Sequence, residues 1–114
     1  MKKYFGAIII ILIILVGCSH ATQPVNPGWV DQLIKQYESE PAGDPPLSIW
    51  RYDFKDQIVY FVPARCCDIY SILFDANGNI LCAPDGGIAG VGDGRCSDFF
   101  TQRTNEQLIW QDPR

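Results

Sequence analysis

The chain has 114 residues, 47% of them hydrophobic, with nine Lys/Arg against thirteen Asp/Glu and a formal net charge of −4. That length holds one small domain. An acidic chain without a basic stripe is a poor partner for nucleic acid, so that class is excluded.

The chain begins with Lys2 and Lys3, followed by an unbroken apolar run from Ala7 to Val16. The run is too short for a stable bilayer span, which needs ~20 apolar residues, and it has the length and flanks of a secretory signal peptide. It closes on Leu15-Val16-Gly17-Cys18. With that sequence the chain resembles bacterial lipoproteins, whose lipobox ends in a cysteine. The resemblance implies that residues 1–17 are removed, that Cys18 gains a diacylglycerol thioether, and that the new amino terminus is acylated. Lys2 and Lys3 are the only charges removed, so residues 18–114 carry seven Lys/Arg and thirteen Asp/Glu, net −6. Nothing polybasic holds such a domain to anionic lipid; attachment falls to the acyl chains on Cys18. Residues 18–26 then read as a polar, lipid-anchored tether with Pro24.

A single domain is expected over residues 27–114. Asn26 is placed as a helix cap with Pro27 in the first helical position. Trp29, Val30, Leu33, Ile34 and Tyr37 recur at helical spacing up to Pro41, giving one amphipathic helix. The period then changes to two: Trp50, Tyr52 and Phe54 alternate with charged residues, and Gln57 to Val62 follows a tight turn at Lys55-Asp56. Tyr70 to Phe74 and Ile80 to Cys82 flank Asp75-Ala76-Asn77-Gly78-Asn79, which suits a type I turn with a G1 bulge. Asp75, Asn77 and Asn79 have the spacing that opens an EF-hand loop. Ile80 stands where that loop needs glycine, and no bidentate Glu follows, so calcium is not expected. Phe99 and Phe100 open a short helix near Asp98, and Leu108-Ile109-Trp110 form a last strand. The expected fold is α+β: an N-terminal amphipathic helix packed on a small antiparallel sheet, in two layers and braced by disulfides.

Four cysteines remain once Cys18 is assigned to lipid: Cys66, Cys67, Cys82 and Cys96. An even number in a small exported domain reads as two disulfides, each worth ~2–4 kcal/mol. Zinc and redox motifs favour Cys-x₂₋₄-Cys and Cys-x-x-Cys, which are absent. Adjacent cysteines in an extended chain point to opposite sides. Cys66 and Cys67 are therefore expected to reach Cys82 and Cys96, in either pairing, rather than each other.

The segment Asp85 to Arg95 is the candidate functional loop, with Gly86, Gly87, Gly90, Gly92 and Gly94 between Asp85, Asp93 and Arg95. It lacks the strand-to-helix context and the Lys-Ser/Thr of a phosphate loop. A loop this rich in glycine either makes a required tight turn or presents itself to a partner. Asp85, Asp93 and Arg95 would then be its polar contacts. Classical catalytic sets fail by absence: the one histidine, His20, lies in the tether, which removes Ser-His-Asp and Cys-His chemistry.

Beyond the lipobox, the string Cys66-Cys67-Asp68, then Asp85-Gly86-Gly87-x-x-Gly90-x-Gly92-Asp93-Gly94-Arg95-Cys96, lies between Ile49-Trp50-Arg51-Tyr52 and Asn105-Glu106-Gln107-Leu108-Ile109-Trp110. Across about residues 29–111 it resembles a family of small uncharacterised bacterial lipoproteins. The resemblance implies one domain of unknown function. The expected protein is a lipid-anchored cell-envelope module outside the cytoplasm, without enzymatic activity, metal or cofactor. Its expected partners are membrane lipid through Cys18 and another envelope protein. The alternative is an inhibitor of a lysozyme- or protease-type hydrolase.

Overall fold

The structure is a computed structural model and describes residues 17–18, 25–66 and 68–114. The expected signal sequence as far as Val16, the tether residues 19–24 with His20, and Cys67 lie outside the described residues.

Helix α1 spans Gly28–Ser39 and buries Val30 and Tyr37, seven residues apart and so on one face. It begins one residue later than the sequence suggested. Its N-cap is Pro27, whose carbonyl accepts from Val30 N–H at 2.9 Å, and no side chain caps the end, so Asn26 does not play that part. Five antiparallel strands follow: β1 (Ser48–Phe54), β2 (Gln57–Val62), β3 (Ile72–Phe74), β4 (Ile80–Cys82) and β5 (Thr104–Gln111), with the short helix α2 (Phe99–Gln102) before the last. They form one sheet in the order β4-β3-β2-β1-β5.

Both hairpin turns follow from their residues. Lys55 and Asp56 take φ of 49° and 61°, the two left-handed positions of a type I′ turn that matches strand twist. In the second hairpin Asp75 Oδ1 accepts from Asn77 and Asn79 N–H at 2.8 and 3.0 Å, while Gly78 sits at φ 86°. The Asp75 carboxylate is thus satisfied within its own turn, and the Asn79 amide holds its pKa below the ordinary carboxylate value.

Alternate strand residues face opposite sides, and here both sides are covered. Ile49, Tyr60, Val62 and Phe74 join Val30, Tyr37 and Leu47 beneath α1. On the other side Tyr52, Phe54, Val59, Phe61 and Leu73 pack with Phe99 and the Cys82–Cys96 disulfide. Two layers therefore describe only half of the arrangement, because α2 and the disulfide cover the second face. Phe99 is fully buried there and makes edge or tilted contacts with the rings of Tyr52, Phe54 and Phe61. Burial of one such ring is worth ~1.5–3 kcal/mol.

Strand β3 is shorter than the sequence suggested: Tyr70 leaves the sheet and bridges Gly86 instead. Strand β5 is longer, because its first four residues, Thr104 to Gln107, are exposed and carry no apolar signal. Two register shifts against β1 each place an extra residue on β5, one of them near Asn105 at φ 53°. Such bulges twist an edge strand away from further pairing. The chain end is tied back to α1: Asp112 N–H donates to Leu47 O, and the Arg114 guanidinium donates to the carbonyls of Glu40 and Tyr37 at 3.0 and 3.2 Å.

Candidate partner-binding loop

The loop between Cys82 and Cys96 is closed by a bond between those two residues, whose Cα atoms lie 6.1 Å apart. The expected crossed pairing, Cys66 and Cys67 to Cys82 and Cys96, is therefore overturned. The physical reason is layering: Cys82 ends β4 and Cys96 precedes α2, and both are buried in the cluster around Phe99. Cys66 is also disulfide-bonded, and it is exposed; Cys67 lies outside the described residues.

Within the loop the backbone largely satisfies itself. Ser71, almost fully buried, accepts from Asp85 N–H on its Oγ and donates both N–H and O–H to Asp85 O, all at 3.1 Å. Gly87 N–H donates to Ile69 O, Gly92 N–H to Gly86 O and Asp93 N–H to Ala83 O. Gly86 is the hub, bridged to Tyr70 on one side and Val91 on the other. It takes φ 84°, and a Cβ there would run into the Ile69 carbonyl oxygen, so glycine is required on two grounds. The disulfide adds to this order by closing a loop of this length, worth about 3 kcal/mol.

The ordered loop presents an apolar tip. Ile88 is 97% exposed and Val91 67%. Ile69 and Tyr70, which adjoin Gly86 and Gly87, are more than half exposed. Ile88 and Ala89 occupy the corners of a turn closed by Gly90 N–H to Gly87 O at 3.0 Å. From Gly86 to Gly92 no side chain is polar.

The polar residues singled out from sequence sit at the base of the tip. Asp93 and Arg95 engage each other, with Nε–Oδ2 at 2.8 Å and Arg95 N–H on Oδ1 at 3.0 Å. The backbone N–H of Arg95, then its side chain, hold the Asp93 carboxyl below its ordinary pKa. Gly94 (φ 78°) turns the chain between them. Asp85 differs: its Oδ1 is buried and has no hydrogen-bond partner among the described residues. Sequence reasoning gave Ile69 no role and placed Tyr70 in a strand; no local signal marks either as part of the tip.

A concavity of about 700 Å³ opens at the β1–β2 turn between Asp53, Lys55, Asp56, Asp98, Gln102 and Thr104. Lys55 is spent there on Asp98 at 3.0 Å, and its hydrogen bond lowers the Asp98 pKa. Nearby, Arg103 lies among the rings of Tyr52, Phe99 and Phe100 and donates to Tyr52 Oη, whose O–H donates to Glu106 at 2.8 Å. Burial, then that bond to Glu106, push the Tyr52 hydroxyl up to about 12. The network closes β5 onto β1. Among the described residues no group of acidic, Cys or His side chains could hold a metal ion, and no helix is long and apolar enough to cross a membrane.

Residues 35–112 match the profile of DUF6970, a domain of unknown function, and the chain belongs to that family. No curated protein and no solved structure matches it.

Proposed function

With membership of a family of unknown function as the premise, we propose that this chain is a lipid-anchored envelope module that binds another protein through the 83–95 loop and performs no catalysis. The observation that carries this reading is the ordered apolar tip. A loop held by a disulfide and by backbone hydrogen bonds pays its ordering cost during folding. It nevertheless leaves Ile88 and Val91 in water, where they add nothing to the core. Loops of that kind on a rigid scaffold are where binding residues concentrate. Anchoring rests on the lipobox Leu15-Val16-Gly17-Cys18, and Cys18 is exposed.

A protease-inhibitor reading has less support. Proteases take up their ligands as extended strands, whereas Ile88 and Ala89 are bent into a turn.

Replacement of Cys18 tests the anchoring. Cys18→Ala is expected to accumulate as an unprocessed precursor that takes up no labelled palmitate. Normal maturation of that variant, with retention in the membrane fraction, would sink the lipoprotein half of the reading.

A further inference from the structure

The chain enters α1 beside the β3–β4 turn: Trp29 Nε1 donates to Ala76 O, and its ring packs on Tyr60 and Phe74. Val25 and Ala76 line one small cavity together. The apolar tip is at the other end of β3, where Tyr70 precedes the strand and bridges Gly86. The root of the tether and the tip thus lie at opposite ends of β3.

Charge sorts the possible occupants of the tip. Its base carries Asp68, Asp85 and Asp93 against Arg95, and the Asp93 carboxylate is already matched by that arginine. Residues 25–114 as a whole carry thirteen acidic and seven basic side chains. A tip with an acidic base is repelled by anionic lipid headgroups. A second copy would bring the same acidic base against its own.

We infer that the tip docks into an apolar recess rimmed by Lys and Arg on a partner protein facing away from the membrane. The inference rests on the binding reading of the loop and adds the chemistry of its partner. Ile88 and Val91 enter the recess as anchors, with Tyr70 beside them. Asp68, exposed next to Ile69, meets the basic rim. Preorganisation is what allows so small a tip to bind: little of its ordering cost is left to meet at the moment of contact.

The experiment is photo-crosslinking of the full chain in intact cells, with a benzophenone amino acid in place of Ile88 and, as control, in place of Lys35 on the exposed side of α1. The expected result is a protein adduct from position 88 and not from position 35. Its crosslinked peptide should lie in an apolar recess bordered by Lys or Arg. The yield should fall several-fold in an Asp68→Lys background and in high salt, which screens the rim. Adducts to acyl chains would overturn the inference in favour of a membrane. Adducts to a second copy would overturn it in favour of self-association. No adduct, or equal yields from both positions, would also overturn it. The mass of the Cys18 peptide in the same sample reports acylation separately, so failure of the anchor and failure of the docking surface are read independently.

Discussion

Gly92 lies directly against the carbonyl of Ala83, across the base of the loop. A Cβ at this position would fall well inside van der Waals contact with that oxygen, and φ is 71°. Gly90 shares the left-handed backbone, at φ 74°, but faces open space. The two positions separate steric need from conformational need. Gly90→Ala should cost about 1 kcal/mol, the ordinary penalty of a left-handed non-glycine residue. Gly92→Ala should cost several times more, because backbone cannot move aside as a flexible side chain would. Urea denaturation of both variants checks the order; equal losses would mean that the loop relaxes around the added methyl.

Asp93 and Arg95 satisfy each other at the surface and touch no core cluster. Exposed pairs of this kind contribute little to stability. Asp93→Ala with Arg95→Ala is expected to melt within a few degrees of the unaltered protein. The salt-sensitive part of crosslinking at Ile88 should change little, because the pair carries no net charge. A large drop in melting temperature would make the pair a structural brace.

The disulfides should open in sequence. Cys82 and Cys96 are buried at 4% and 5% exposure, whereas Cys66 is exposed. Thiol–disulfide exchange depends on access of the attacking thiolate to sulfur. In a titration with dithiothreitol, alkylation should label Cys66 before Cys82 or Cys96. Replacing Cys82 and Cys96 together with alanine should destabilise by about 3 kcal/mol, the value for a loop of this length. Simultaneous labelling would mean that the loop opens globally on the time scale of reduction.

The carboxyl-terminal clamp makes stability depend on acid. Asp112, which is buried, receives hydrogen bonds from the Arg114 side chain, with Nη2–Oδ2 at 2.6 Å, and from Arg114 N–H. These bring its pKa from an ordinary 3.8 down to about 2. A depressed carboxyl stabilises the folded state above its unfolded pKa, where it is charged in both states. That stabilisation is lost as pH falls through the folded value. Thermal melts should therefore drop between about pH 4 and pH 2, and Asp112→Asn should lower the melting temperature at neutral pH while flattening that acid limb. An acid limb unchanged in the variant would assign the dependence to other carboxylates, such as Asp75 or Asp98, whose pKa values are also lowered.

The elements legible in the sequence are those whose cause is local. The α1 stripe from Trp29 to Tyr37 and the alternation of Trp50, Tyr52 and Phe54 announce their periods directly, and the structure has a helix and a strand there. Asp75-Ala-Asn-Gly-Asn carries its own hydrogen-bonding side chains and forms the turn that those residues require. Asp98 next to Phe99-Phe100 likewise marks the start of α2. The glycine spacing of the loop was visible for the same reason, since left-handed backbone is a property of single residues.

What depended on partners far away in the chain was not legible. The Cys82–Cys96 bond depends on β4 and the approach to α2 meeting over one face of the sheet, and four cysteines by themselves cannot choose. The cover on that second face comes from Phe99, about 45 residues from the strand it packs on, so alternation in β1 alone suggested one buried side. Tyr70 looks like a strand residue until Gly86 draws it out of the sheet. The exposed start of β5 has no apolar pattern because it is held by pairing with β1 rather than by burial. Sequence alone determined the local periods and the turns, because each is decided within a few residues. Tertiary structure decided the disulfide, the second covered face and the apolar tip, because each is a contact between segments that only the completed sheet brings together.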